Sequence, residues 1–188
     1  MRWISYRVFR ALGWRVEGDL PPLSKMVIIG APHTSNWDFF LFLAVIRHFN
    51  ISVNFLGKHT LFRWPFGFMF RKVGGIPVDR RQPGGLVEQV RTAFAERERL
   101  ILVIAPEGTR EAAGSWKPGF VHIAAGAGVP VVFAGVDSTR KVVVISEPEW
   151  VGDDEAGFMD RVRAFYADKN GIHPENKGPV RLADEPVS

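Results

Sequence analysis

Apolar residues recur along the chain in two alternating rhythms. Trp3, Ile4, Val8, Ala11 and Leu12 fall at helical spacing with arginines among them, which predicts an amphipathic basic helix over residues 1–16. Such a helix lies flat on a surface, either a membrane or the rest of the domain. After Pro21 and Pro22, the run Met26, Val27, Ile28, Ile29, Gly30, Ala31 predicts a buried strand, followed by a helix over about 35–48. The pattern then repeats. Strands are expected at 53–56, 76–78, 100–105, 129–136 and 141–146. Helical stretches are expected at 61–70, 82–98, 119–127 and 154–166, and an irregular tail beyond residue 170. Strands separated by helices predict an α/β fold: a single domain with a mixed, mostly parallel sheet flanked by helices. The organisation expected is an N-terminal helix (1–16), a main domain (17–170) and a tail (171–188).

Composition fits one domain. At 188 residues, 46% hydrophobic and 23% charged, the chain can bury one sizeable core. Fifteen Phe and six Trp against two Tyr suggest an interfacial surface in addition to the core. There are no cysteines, which excludes disulfides, thiol catalysis and cysteine metal sites and suits a reducing cytosol. The basic N-terminus lacks the pattern of a secretory signal. The longest apolar run of the chain, 39–46, is far short of the roughly 18 residues of a spanning helix, so contact with a bilayer is expected to be peripheral.

Charge is unevenly distributed. Residues 1–16 and 58–81 together hold ten of the 24 Lys and Arg but only one of the 20 acids, Asp79. Basic charge interleaved with Trp and Phe suits anionic lipid headgroups or nucleic acid phosphates, and composition does not separate the two.

Three segments carry candidate chemistry. The first, Pro32-His33-Thr34-Ser35-Asn36-Trp37-Asp38, follows the strand ending at Ala31, the end of a parallel strand where ligands bind in open α/β sheets. On a regular helix His33 and Asp38 would point roughly 140° apart, so they meet only if His33 precedes the helix. With Ser35 as N-cap, Asp38 sits at the third helical position and can turn back toward the loop. Its carboxylate would hold one imidazole nitrogen and leave the other as a general base. The same residues also read as a capping box beside an incidental histidine. Neither the G-x-S-x-G elbow of serine hydrolases nor the H-E-x-x-H of zinc enzymes is present.

The second segment, Gly74 to Arg81, ends a short strand in Arg80 and Arg81, whose forked donors suit phosphate; a solvated turn is the alternative. The third, Pro106-Glu107-Gly108-Thr109-Arg110, follows the strand ending at Ala105 and could project Glu107 and Arg110 into the same crevice as His33, or form a turn with a salt bridge.

In order, H-x4-D, G-x-x-x-D-R, P-E-G-T-R and V-P-V-V resemble the blocks of the glycerolipid and lysophospholipid acyltransferases, over residues 33 to about 136. Two positions depart from that pattern. Pro32 stands where asparagine often precedes the histidine, and Ile76-Pro77-Val78 replaces a phenylalanine-containing form.

The resemblance implies a glycerol-3-phosphate acyltransferase-like fold and transfer of a fatty acyl group from an acyl thioester to a lysophospholipid-like hydroxyl. It makes His33 the base and Asp38 its orienting partner. Arg80, Glu107, Gly108, Thr109 and Arg110 would then form the acceptor-phosphate site. No metal or resident cofactor is expected, since acyl-CoA or acyl carrier protein enters as co-substrate. The setting implied is peripheral, on the cytoplasmic face of an anionic membrane, without nucleic acid. A non-catalytic phospholipid-binding module on the same scaffold is the alternative. Phe62, Trp64, Phe66, Phe68 and Phe70 could line an acyl groove or pack in the core.

Overall fold

The computed structural model of the chain describes residues 2–63, 67–72, 74–78 and 83–185. In chain order the elements are α1 (Arg2–Ala11), β1 (Arg15–Glu17), β2 (Lys25–Ala31), α2 (Asp38–His48) and β3 (Asn54–Lys58). A 3-10 turn (His59–Phe62), α3 (Gly67–Lys72), β4 (Gly75–Val78), α4 (Pro83–Glu96), β5 (Leu100–Ile104) and α5 (Gly119–Ala127) follow. The chain then runs through β6 (Val131–Asp137), β7 (Val142–Ile145), α6 (Glu155–Tyr166) and a 3-10 turn at Pro174–Asn176.

The strands form one sheet in the order β1-β7-β6-β2-β5-β3-β4. All neighbouring pairs are parallel except the antiparallel β6–β7 pair. The expected mixed, mostly parallel sheet is therefore present. β1 is the strand that the sequence pattern does not announce, because three residues at a sheet edge are too short to show a period.

β2 lies at the centre, between β5 and β6, and reads as an unbroken apolar run because both its faces are covered. Val27 and Ile29 point into a core shared with Phe120, Phe133, Phe158, Met159 and Tyr166. Met26 and Ile28 point the other way, toward Phe9, Leu41 and Ala44. The period-two alternation of side chains thus assigns α5 and α6 to one face and α1 and α2 to the other.

Helix α1 packs on α2 through Phe9, while Val8 points outward. Phe9 is only 3% exposed and joins the α2-side core with Tyr6 beside it, while Val8 and Leu12 are half or more exposed. Phe9 also contacts Trp14, whose ring centroid lies 6.0 Å away.

α2 begins at Asp38, three residues later than expected. Asp38 and Phe39 donate to the carbonyls of Ser35 and Asn36, so residues 35–38 form a tighter i to i−3 turn ahead of the helix. The tail beyond 170 has little regular structure, as expected, but it folds back on the domain. Gly171 donates to the carbonyl of Val136 at 3.0 Å, and Trp116 and Leu182 form an isolated parallel bridge.

Candidate active site

β2 and β5 are adjacent and parallel, so the loops leaving their C-terminal ends emerge side by side. The first carries His33 and the second carries Pro106 to Arg110. In the first loop, His33 Nδ1 donates to Asp38 Oδ2 at 2.9 Å, and the backbone amides of Thr34 and Ser35 donate to the same oxygen at 2.8 and 2.9 Å. Asp38 is the first residue of α2, where a carboxylate also meets the positive end of the helix dipole. Half of the expected capping box is formed: Asp38 reaches back to Ser35 N, but Ser35 Oγ accepts from Trp37 N at 3.1 Å instead of capping Asp38. The second carboxylate oxygen, Asp38 Oδ1, is buried without a hydrogen-bond partner.

Glu107 joins the two loops. Its Oε2 accepts the backbone N–H of His33 at 2.9 Å, and the residue is only 6% exposed. Burial pushes its carboxyl up to about 7; the hydrogen bond from His33 and the nearby imidazole oppose this shift, and the Asp38 charge adds to it. Behind it, the fully buried Tyr166 hydroxyl donates to the carbonyl of Ile29 at 2.8 Å. Burial, then the Glu107 charge, holds that phenol well above its usual range.

Gly108 turns the second loop with φ +69°, a backbone conformation that favours glycine; a Cβ there would meet only the end of the Lys117 side chain, which can move aside. His33, Ala105, Gly108, Thr109, Arg110 and Glu111 line an open cleft of about 420 Å³. Arg110 Nη1 donates to Asn36 Oδ1, which ties its guanidinium to the first loop.

The structure therefore brings His33, Asp38, Glu107, Gly108, Thr109 and Arg110 together. Glu107 lies beneath the His33 loop and does not line the cleft. Arg80 lies outside the described residues, as do Trp64 and Phe66. Phe62 is buried and Phe68 is strongly exposed. Among the described residues, no cluster of His, Asp and Glu could hold a metal.

Sequence reasoning missed Asn36 and Tyr166, whose contacts here join distant segments. It also passed over Trp37, Phe39 and Phe40. These three are exposed at the start of α2, with the Trp37 and Phe40 rings 5.2 Å apart.

The chain is similar to known acyltransferases. Over 153 residues the chain is 28% identical to the 1-acyl-sn-glycerol-3-phosphate acyltransferase of Haemophilus influenzae, covering 76% of this chain and 61% of that protein. Over 106 residues it is 29% identical to the 1-acyl-sn-glycerol-3-phosphate acyltransferase of Cocos nucifera, covering 53% of this chain and 33% of that protein. The chain thus spans less than two thirds of the length of either curated relative. The crystal structure of the 1-acyl-sn-glycerophosphate (LPA) acyltransferase PlsC from Thermotoga maritima has the same fold. Its TM-score is 0.59 over 86% of this chain and 74% of that one, at 20% identity. The acyltransferase family model matches residues 14–136, a stretch that contains both loops meeting across β2 and β5, and the chain belongs to that family.

Proposed function

We propose that the protein transfers a fatty acyl group from an acyl thioester, carried by CoA or an acyl carrier protein, to a hydroxyl of a lysophospholipid-like acceptor. The observation that carries this reading is the 2.9 Å pair of His33 Nδ1 and Asp38 Oδ2 at the edge of an open cleft. With Nδ1 held by the carboxylate, Nε2 is the nitrogen available to take a proton. The acceptor O–H gives its proton to Nε2 as its oxygen attacks the thioester carbonyl. The C–S bond then breaks, and the imidazolium returns the proton to the departing thiolate. No covalent enzyme intermediate is needed.

Thr109 and Arg110 in the cleft, with Gly108 shaping the turn, are the proposed acceptor-phosphate contacts, joined by Arg80. A guanidinium there supplies paired donors to phosphate oxygens. Glu107 contributes from beneath, by fixing the His33 amide.

The proposed setting is the cytoplasmic face of an anionic membrane, contacted peripherally. No described helix is long and apolar enough to cross a bilayer. Val8 and Leu12, with exposed Arg10, present apolar and cationic groups outward from α1, and Trp37, Phe39 and Phe40 do so beside the cleft. Interfacial binding combines such apolar burial with attraction to anionic lipid.

The test is transfer of a labelled acyl group, from acyl-CoA and from acyl carrier protein in turn, to lysophosphatidic acid. The parent is expected to form product, and His33→Ala is expected to lose about 10²–10⁴-fold in rate, the usual size of a general-base contribution. A His33→Ala rate within about tenfold of the parent would overturn the base assignment, because it falls below that range.

A further inference from the structure

Every polar atom of Thr34 is engaged, although the residue is only 2% exposed. Its N–H is one of the three donors on Asp38 Oδ2. Its hydroxyl oxygen accepts the backbone N–H groups of Ile172 at 3.0 Å and His173 at 3.1 Å, and its carbonyl accepts from Asn176 Nδ2 at 3.3 Å. The loop that carries His33 is thus bonded to a segment almost 140 residues away in sequence. That segment lies beyond residues 14–136, the part of the chain that the family model matches.

The segment is itself anchored at both ends. On one side Gly171 N donates to Val136 O and Asn170 Nδ2 donates to Thr139 Oγ1, which fasten it to the end of β6 and the turn that follows. On the other side Lys177 Nζ donates to the carbonyls of Tyr166 and Ala167 at 3.0 Å, at the end of α6. Gly171 has φ +67°, and a Cβ there would stand 2.7 Å from Thr34 Oγ1. Glycine is what lets the strap approach the threonine hydroxyl so closely.

We propose that residues 170–177 form a strap that sets the position of the catalytic loop, with Thr34 as the positioning residue through which it acts. This rests on His33 being the base of the acyl transfer proposed above. Residues 32–35 belong to no helix or strand, so the backbone between Ala31 and the turn before α2 has no ladder of its own to hold it. The strap supplies that restraint one residue from His33, and through the Thr34 amide it reaches the carboxylate that orients the imidazole. A misplacement of about 1 Å can cost on the order of 10²-fold in rate. A merely structural role would make the strap a source of stability alone.

The experiment compares the parent with Thr34→Val, Thr34→Ser, Gly171→Ala, Asn176→Ala and His33→Ala in the full chain. It reads kcat and KM for donor and acceptor per folded molecule, together with Tm. Thr34→Val keeps the shape and removes the acceptor. It is expected to lower kcat about 10–100-fold, the range for partners that orient a reacting group from behind. KM should change by less than about twofold, since ground-state binding is untouched. Thr34→Ser should restore kcat, and Gly171→Ala should act like Thr34→Val.

If Thr34→Val fails to fold, Asn176→Ala decides. A fall in kcat of about fivefold, the worth of one ordinary hydrogen bond, is expected. Parental kcat per folded molecule in Thr34→Val, or in Asn176→Ala where the valine variant does not fold, would overturn the strap. Should His33→Ala keep its activity, the catalytic reading fails instead, and the strap's catalytic role fails with it.

Discussion

The Oε2 of Glu107 stands 2.9 Å from the backbone nitrogen of His33, joining two loops that lie 74 residues apart in sequence. The carboxylate is buried, and the single N–H it accepts does not fully offset the loss of hydration, so its carboxyl rises to about 7. That shift makes the contact measurable.

In the unfolded chain this carboxyl titrates near 4.5, and in the folded protein near 7. Between those values the folded state keeps a proton that the unfolded state has released. The stability contributed by protonated Glu107 is therefore complete below about 4.5 and is lost as pH rises through about 7. Glu107→Gln keeps an oxygen for the His33 amide and cannot ionise. Urea unfolding should show the variant matching the parent at the acid end, gaining on it as pH rises from about 4.5 to about 7, and staying ahead above that by on the order of 3 kcal/mol. Parallel stability curves across that window would contradict the assignment.

Asp38 Oδ2 accepts three N–H groups, from His33 Nδ1, Thr34 and Ser35. Asp38→Asn can keep an oxygen at that position and loses mainly the charge at the start of α2, so a stability loss of about 0.3–1 kcal/mol is expected. Asp38→Ala leaves those donors without their acceptor, at about 1–3 kcal/mol for a buried group. Thermal unfolding should rank the alanine variant well below the asparagine variant, while both lose acyl transfer. Equal stability of the two would show that the three bonds contribute little.

Arg110 lines the cleft and is held by Asn36. If it meets the acceptor phosphate, Arg110→Ala should raise KM for a phosphorylated acceptor by about 10–100-fold, the loss of one charged hydrogen bond. KM for the acyl thioester should stay near the parental value. An unphosphorylated acceptor should be used equally well by both proteins, and Arg80→Ala is expected to behave in the same way. Equal losses on both kinds of acceptor would remove Arg110 from the phosphate site.

Helix α1 has a buried side at Phe9 and an exposed side at Val8, and substitutions should separate what the two do. Phe9 is buried against the α2 side of the sheet, so Phe9→Ala is expected to cost about 3–5 kcal/mol. Deleting residues 1–15 removes Phe9 and Trp14 together and should leave the domain poorly folded. Val8→Ser with Leu12→Ser touches exposed positions and should change stability by within about 0.5 kcal/mol. The same pair should weaken sedimentation with anionic vesicles. Unchanged vesicle binding would shift the proposed contact to Trp37, Phe39 and Phe40.

Much of this fold is legible in the sequence alone. The six strands expected from apolar runs are present, and each is offset by no more than about two residues at its ends, the usual slack of boundary reading. Runs of Val, Ile and Leu bounded by Gly and Pro are local signals, and burial on both faces of a parallel sheet keeps them unbroken. The pairing of His33 with Asp38 was one of two readings of that segment, beside a capping box with an incidental histidine, and the folded loop forms the pair.

What remained hidden is non-local. β1 was too short to show a period, and α1 docks through Phe9 instead of presenting only the face that its spacing emphasised. Glu107, expected in the acceptor-phosphate site, holds the His33 amide across 74 residues of sequence. The tail, read as irregular, meets Thr34.

The sequence by itself determined the alternation of strand and helix and the burial of the strand at 26–31, and it named His33 and Asp38 as candidates for a pair at that strand's end. Each of these follows from periodicity or spacing within a dozen or so residues. Only the tertiary structure decided which carboxylate oxygen receives which amide, and that Glu107 and the 170–177 segment converge on the loop that carries His33. Single hydrogen bonds between segments scores of residues apart leave no periodic mark on the chain. They are fixed only when the packed sheet sets which loops emerge side by side.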